Sequence, residues 1–203
     1  SKQLNAVFLG YADKTKQFMV PEPSNKIVTA SMAIDEGAVY NEGPISDSVY
    51  NHEISYPNEI VSMRLFQTSP GENAWSPNID PQYRLNGVKN ATFSNIYKKL
   101  DPNKPAYTVT GSGGGGTSMY HWTMEKNKQR ALTNREKARL QTFPDSFRFY
   151  GTKTEIRKQI GMAVPVKAAE IIFKAVLRSY LSVDYKFVEA NGPRYTAFTE
   201  SLF

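Results

Sequence analysis

The chain has 203 residues, 40% hydrophobic, with a net charge of +6 and no cysteine. That length supports a buried core in one large domain or two small ones, and the missing cysteine excludes disulfides, thiolate metal sites and a cysteine nucleophile within these residues. With only His52 and His121 a histidine-rich metal site is not expected; no run of about twenty apolar residues marks a membrane span, and SKQLNAVFLGY lacks the layout of a secretory signal, so a soluble intracellular protein is expected.

The opening NAVFLGY, apolar at Val7, Phe8 and Leu9 and stopped by Gly10, predicts a short buried strand. PEPS at 21–24 breaks the chain, IVTASMAI forms a short element, and a loop follows around Asn41 to Asp47. From Ser48 to Gly116 Pro, Gly, Asn and Ser recur every few residues, periodic runs such as YTVT at 107–110 are short, and no internal repeat is visible. That texture suits a loop-rich module whose loops carry function. Thr133 with Glu136 three residues on makes a capping box that opens a helix, and Pro144 stops it. A second helix is predicted from Thr154 to Ile160, ended by Gly161. Pro165 suits the first turn of a third, where Ala168, Ile172, Ala175, Val176 and Ser179 recur at helical spacing to about Leu181 and form one apolar face. The aromatic-rich tail from Val183 has too little periodicity to assign.

Charge is unevenly spread. Residues 1–63 carry four lysines against eight acids, a net of −4, whereas residues 84–158 carry fifteen Lys and Arg against five acids, a net of +10. A local excess of this sign suits a face that meets a polyanion such as DNA, or else a merely solvated basic surface. Within it, GSGGGG at 111–116 is no phosphate-binding P-loop, because no GK[ST] follows and its flanks TVT and TSMYHW read as strands. It is either a flexible linker or a loop that lays its backbone against nucleic acid, and Tyr120, His121 and Trp122 beside it favour the second.

Two blocks are more specific. RALTNREKARLQTFPD runs from Arg130 to Asp145 and QIGMAVP from Gln159 to Pro165. They resemble the ninth and tenth motifs of the DNA (cytosine-5) methyltransferases, R-x-L-T-x-R-E-x-A-R-x-Q-x-F-P-D and Q-x-G-N-A-V-P. Arg130, Leu132, Thr133, Arg135, Glu136, Ala138, Arg139, Gln141, Phe143, Pro144 and Asp145 match the first, while Gln159, Gly161, Ala163, Val164 and Pro165 match the second. The preceding KLDPNKPAYTVTGSGGGG is similar to the end of that family's target recognition domain.

The resemblance implies a two-lobed enzyme. A large Rossmann-like lobe carries a glycine loop for S-adenosylmethionine, a Pro-Cys nucleophile and a Glu-Asn-Val acid. A small lobe reads DNA, and the target cytosine is flipped out for attack by the cysteine. The chain has no F-x-G-x-G near a first strand, no Pro-Cys and no Glu-Asn-Val, and the eighth motif's arginines are missing beside NAVFLGY. The resemblance therefore covers the family's C-terminal part, as a small subunit or a fragment.

The fold class implied is α+β: a loop-rich DNA-recognition lobe with short strands, then C-terminal helices that complete the Rossmann-like lobe. Residues 1–46 would connect from the catalytic lobe, 47–150 form the target recognition domain with the ninth motif, and 151–203 hold the tenth-motif helices and tail. DNA-binding candidates are Arg84, Lys98, Lys99, Gly113, Gly114, Arg130, Arg135 and Arg139, the last two serving alternatively, with Glu136, to brace the module. Lys104, Lys126 and Lys128 are further phosphate candidates, and Asn90, Ser94 and Asn95 candidate base readers. By resemblance Gln159, Gly161, Met162, Ala163 and Val164 border S-adenosylmethionine, although Met162 stands where the family usually has Asn. No catalytic residue and no metal ligand is expected.

Duplex DNA and a catalytic segment or subunit are the implied partners, with no membrane. The resemblance also implies a restriction-modification system and a cytoplasmic location, bacterial or phage. A second reading stays open here, an autonomous non-catalytic DNA-binding or regulatory protein. The intact tenth motif favours the first, since a free DNA binder has no use for a segment that completes a cofactor pocket.

Overall fold

In the computed structural model, which describes residues 19–21, 26–34, 49–85, 95–181 and 187–189, helices supply most of the regular structure. The chain divides into two compact units, Ser1–Asn5 with Lys26–Val166 and Ala6–Asn25 with Lys167–Phe203.

The first unit holds α1 (Ala30–Ile34), α2 (Glu59–Phe66), α3 (Asn134–Leu140) and α4 (Lys153–Met162), with single 3₁₀ turns at Pro81–Tyr83, Gly115–Thr117 and Lys126–Lys128. α1 is the short element expected in IVTASMAI. α3 starts as its capping box dictates: the Thr133 hydroxyl accepts from the Glu136 amide at 3.1 Å, and the Glu136 carboxylate accepts from the Thr133 amide at 2.7 Å. It ends at Leu140, four residues before Pro144. α4 departs from the expected Thr154–Ile160 at both ends. Thr152 and Glu155 form a second capping box that starts it at Lys153, and it runs through Gly161 to Met162. α2 lies in the stretch read as irregular; Asn58 caps it, accepting from the Val61 amide at 3.0 Å.

The core of this unit gathers Ala30 and Ile34 of α1, Leu100, Val109, Met119 and Leu132 from the connecting segments, Ala138 of α3, Phe149, and Ile156 and Ile160 of α4. The strands expected on either side of the glycine run are reduced to isolated bridges of Tyr120 with Lys99 and Ala131. Residues 107–110 form none, because Val109 turns into the core and Gly111 packs on α4 instead of a neighbouring strand.

The second unit contains most of α5 (Val166–Leu181), which follows Pro165 as expected, and an antiparallel pair of β1 (Met19–Pro21) with β2 (Phe187–Glu189), Val20 opposite Val188. β2 lies in the tail left unassigned from sequence. On α5 Ala175 is fully buried, while Ile171, Phe173 and Leu177 are exposed. The NAVFLGY strand, the loop at 41–47, Asn90 and Ser94 lie outside the described residues.

Candidate nucleic-acid interface

α3 is the centre of the candidate interface, and its charged side chains mostly point inward. Arg130 holds Glu136 by two parallel bonds, Nη1 to Oε2 and Nη2 to Oε1, each 2.7 Å, with Glu136 fully buried. Such a fork-to-fork pair is the strong form of charged hydrogen bond. Burial alone would raise the Glu136 carboxyl, but the Arg130 guanidinium and the Thr133 amide outweigh it and hold it below the usual carboxylate range.

Arg135 is also fully buried. Its Nε donates to Tyr50 O at 2.8 Å, Nη1 to Pro144 O at 3.1 Å and Nη2 to Phe147 O, so one side chain fastens the segment before α2 and the turn after α3. Arg139 makes a bidentate pair with Asp145 and donates from Nη1 to Ile34 O at 2.8 Å. Of the two readings weighed for these arginines, the geometry supplies the bracing contacts. Lys99 is likewise internal: fully buried, it donates to Thr123 O at 2.8 Å, and burial pulls its pKa down to about 8. An ammonium engaged there has no reach to a phosphate outside. His121 is buried and neutral, its pKa lowered to about 4 by burial and then by Arg130, and its Nδ1 accepts from the Thr123 amide at 3.0 Å.

The remaining candidates lie further out. Arg84 is exposed, its Nε donating to Ile79 O at 2.8 Å. Lys98 is half-buried, with its ammonium 5.1 Å from the centre of the Tyr107 ring. Lys104 and Lys128 pair with Asp101 and Glu125 at 2.8 Å, and Lys126 and Asn95 are exposed. The glycine run is ordered rather than a free linker. Tyr97 N donates to Gly116 O at 2.6 Å and the Tyr120 hydroxyl to Gly115 O at 2.7 Å. Gly113 has φ +113°, a conformation that side-chain-bearing residues rarely adopt. Gly114 is exposed and lies against the Arg157 guanidinium, where a Cβ would stand 3.3 Å from Nη1.

The tenth-motif residues divide by exposure. A Cβ on Gly161 would stand 1.9 Å from Gly111 N and 2.2 Å from Thr110 C, so this glycine lets the backbone of the glycine run cross α4. Gln159 is exposed and donates to Tyr150 O at 2.9 Å. Met162 and Val164 are 82% and 59% exposed and put an apolar edge at the surface. Ala163 is half-buried, its carbonyl accepting from Gln141.

Gln141 was noted in the sequence only as a motif match, yet it joins the two blocks. Its Nε2 donates to Ile160 O at 3.0 Å and to Ala163 O at 3.1 Å, and its backbone carbonyl accepts from the Val166 amide at 3.1 Å. A side-chain amide followed closely by a helix lacking partners for its last carbonyls is the signal that could have found it.

Residues 2–178 match the C-5 cytosine-specific DNA methylase family. The chain belongs to this family. It is 46% identical over 181 residues to the type II methyltransferase M.BbvI of Brevibacillus brevis, covering 88% of this chain and 45% of that one. It is 53% identical over 89 residues to the DNA (cytosine-5-)-methyltransferase M.ApeKI of Aeropyrum pernix, covering 44% of this chain and 18% of that one. The type II methyltransferase M.AquIB of a Picosynechococcus species is 41% identical over 103 residues, 45% of this chain but 70% of the relative. The chain thus spans less than half the length of M.BbvI and most of M.AquIB. The methylase family takes its methyl group from S-adenosylmethionine. Among the described residues no group of acidic, His or Cys side chains is placed to hold a metal, and no helix is long and apolar enough to cross a membrane.

Proposed function

We propose that the chain is the DNA-recognition portion of a DNA (cytosine-5) methyltransferase. It binds duplex DNA sequence-specifically and completes the S-adenosylmethionine pocket of a catalytic segment supplied elsewhere, in the cytoplasm, within a restriction-modification system. The observation that carries this reading is the Gln141 tie, which sets the tenth-motif edge at a fixed position against the glycine run. M.AquIB, shorter than this chain by its coverage, supports the idea that such a piece stands as a chain of its own.

In this reading residues 1–46 connect from the catalytic lobe, 47–150 recognise DNA, and 151–203 dock on the catalytic lobe. Arg84, Lys98, Gly113 and Gly114 face the duplex, while Lys99, Arg130, Arg135 and Arg139 hold their platform from beneath. The residues present fit S-adenosylmethionine as one wall of its pocket. Met162 and Val164 offer exposed apolar surface with Ala163 between them, and the remaining walls of the pocket would come from the catalytic segment. The donor's sulfonium methyl is the group transferred. Gln159 and Gly161 act indirectly, by anchoring α4 to Tyr150 and to the glycine run.

No thiolate is available here to add to the cytosine ring. The chain alone is therefore expected to put no label from S-adenosylmethionine into duplex DNA, and mixing it with a catalytic segment that carries Pro-Cys and Glu-Asn-Val is expected to restore transfer. Label above a no-protein control with this chain alone would refute the division of labour.

The neighbours Lys98 and Lys99 are expected to separate cleanly. Lys98→Ala weakens duplex binding about equally for unrelated sequences and lowers the salt slope by roughly 1, with melting unchanged. Lys99→Ala lowers the melting temperature, because it empties a buried site and leaves the Thr123 carbonyl with only its bond from Gln129 Nε2. Titrations at several salt concentrations beside thermal melts check both, and equal behaviour of the two variants would contradict the inside-outside assignment.

A further inference from the structure

Lys137 is unlike the other buried cations of α3. It is only 6% exposed, yet its ammonium makes no hydrogen bond or ion pair among the described residues. Burial lowers its pKa to about 8, with the charges of Arg157 and Lys153 pushing the same way and that of Glu136 opposing them. Lys99, comparably buried, at least donates to Thr123 O. The Lys137 side chain is packed in while its ammonium borders an open cleft without a hydrogen bond from the protein, so it is placed to take an acceptor that arrives from outside.

Lys137 lines a cleft of about 300 Å³ between α3, α4 and the glycine run, together with Lys153, Arg157, Asn134, Gly114 and Gly115. Arg157 brings a second unsatisfied group, since its Nε is buried without a hydrogen-bond partner. Lys153 donates to Ser55 Oγ at 2.6 Å and lies 3.8 Å from Glu53, the one acid on the lining. Three cations against one carboxylate leave the cleft at about +2. Glu136, whose two oxygens are hydrogen-bonded to Arg130, offsets part of this at Lys137 but is not on the lining.

We propose that this cleft binds a backbone phosphate of the DNA duplex, with Lys137 and Arg157 as its two donors and the glycine run at its mouth. The inference rests on the DNA-recognition reading above. A phosphate supplies what the site lacks: a negative charge that pairs with the buried ammonium and acceptor oxygens for the orphaned guanidinium N–H. A contact of this type fixes the register of the protein on the duplex and carries no base sequence. It would set the glycine run against the DNA from below.

The test uses the full chain, its Lys137→Met and Arg157→Gln variants, and Lys174→Gln as a control of equal charge loss at an exposed lysine paired with Glu170. In the first arm, inorganic phosphate is titrated and melting is followed. Phosphate raises the melting temperature of the parent and of Lys174→Gln but not of Lys137→Met, which without ligand melts close to the parent because methionine keeps the packed stem and the lost ammonium makes no hydrogen bond within the described residues. An equal rise in all four proteins overturns the site.

In the second arm, fluorescence anisotropy follows two unrelated labelled duplexes across a salt series. Lys137→Met and Arg157→Gln each bind about tenfold more weakly to both duplexes, a loss typical of one charge-assisted bond, and the salt slope falls by roughly 1. Unchanged duplex binding alongside a lost phosphate response would mean that the cleft takes an oxyanion from another source, which overturns the assignment to DNA. If the parent binds neither duplex while phosphate still stabilises it, the DNA-recognition reading itself fails and the anion site alone survives.

Discussion

Arg130→Ala is expected to cost roughly 3–5 kcal/mol of folding stability, the range for breaking a buried ion pair by removing one partner. The effect is large because of what remains. Glu136 stays fully buried with its main counter-charge gone, and its carboxylate still has to serve the Thr133 amide. The pH dependence gives the mechanism a signature. In the parent the Glu136 carboxyl is held below its ordinary value, so its contribution to stability is present above the unfolded pKa and is lost as pH falls through the folded one. In the variant, burial acts unopposed by Arg130 and the carboxyl shifts upward, so the folded state takes up its proton first and gains stability relative to the unfolded chain as pH falls. The gap between the two proteins therefore narrows on acidification. Urea unfolding at neutral and mildly acidic pH checks this, and a gap below about 1 kcal/mol that ignores pH would mean a hydrated, surface-like pair. Replacing both partners by apolar side chains of similar size is expected to recover most of the loss.

Gly161→Ala is the second large effect, and its sign runs against helix propensity. Gly161 lies inside α4, where alanine is ordinarily better than glycine by about 1 kcal/mol. Here a Cβ would stand 1.9 Å from Gly111 N and 2.2 Å from Thr110 C, both backbone atoms, which cannot step aside as a flexible side chain would. Either α4 or the glycine run must move, at a cost of about 1–3 kcal/mol or more. Gly115→Ala is the matched comparison: its φ of +53° is disfavoured for alanine, but nothing lies within 4 Å of the added carbon, so a loss of about 1 kcal/mol is expected. Thermal unfolding of the two variants decides between them. An alanine at 161 that stabilises the protein would show that the crossing of α4 and the glycine run has been misread.

Those two residues also show what a reader of the sequence can recover. The capping box at Thr133 and Glu136 is a local device of four residues, and it was legible together with the helix it starts. The equivalent device at Thr152 and Glu155 has the same spacing and starts α4 at Lys153, one residue before the expected Thr154. Gly161 was read as a helix stop because glycine ends helices far more often than it lies beneath a crossing backbone; only the position of Thr110, fifty-one residues away in sequence, distinguishes the two. The arginines of the ninth motif posed the same difficulty. Their number and sign suited a phosphate-binding face, whereas their direction depends on carbonyls from Tyr50, Pro144, Phe147 and Ile34, which no spacing rule links to them. Lys137 presents the converse case: it occupies an unmatched position within the motif, and only its burial distinguishes it from an ordinary surface lysine.

The Gln141 tie has a practical consequence for protein engineering. Its side chain and carbonyl reach Ile160, Ala163 and Val166, so residues 141 and 160–166 behave as one piece although the sequence separates them. A chimaera with a relative would cut this piece apart if its junction fell between Asp145 and Gln159, in the gap between the two motif blocks. A donor segment that ends upstream of Tyr107 leaves the tie, the glycine run and the α4 crossing from a single parent. Such a junction exchanges only the residues that come before them.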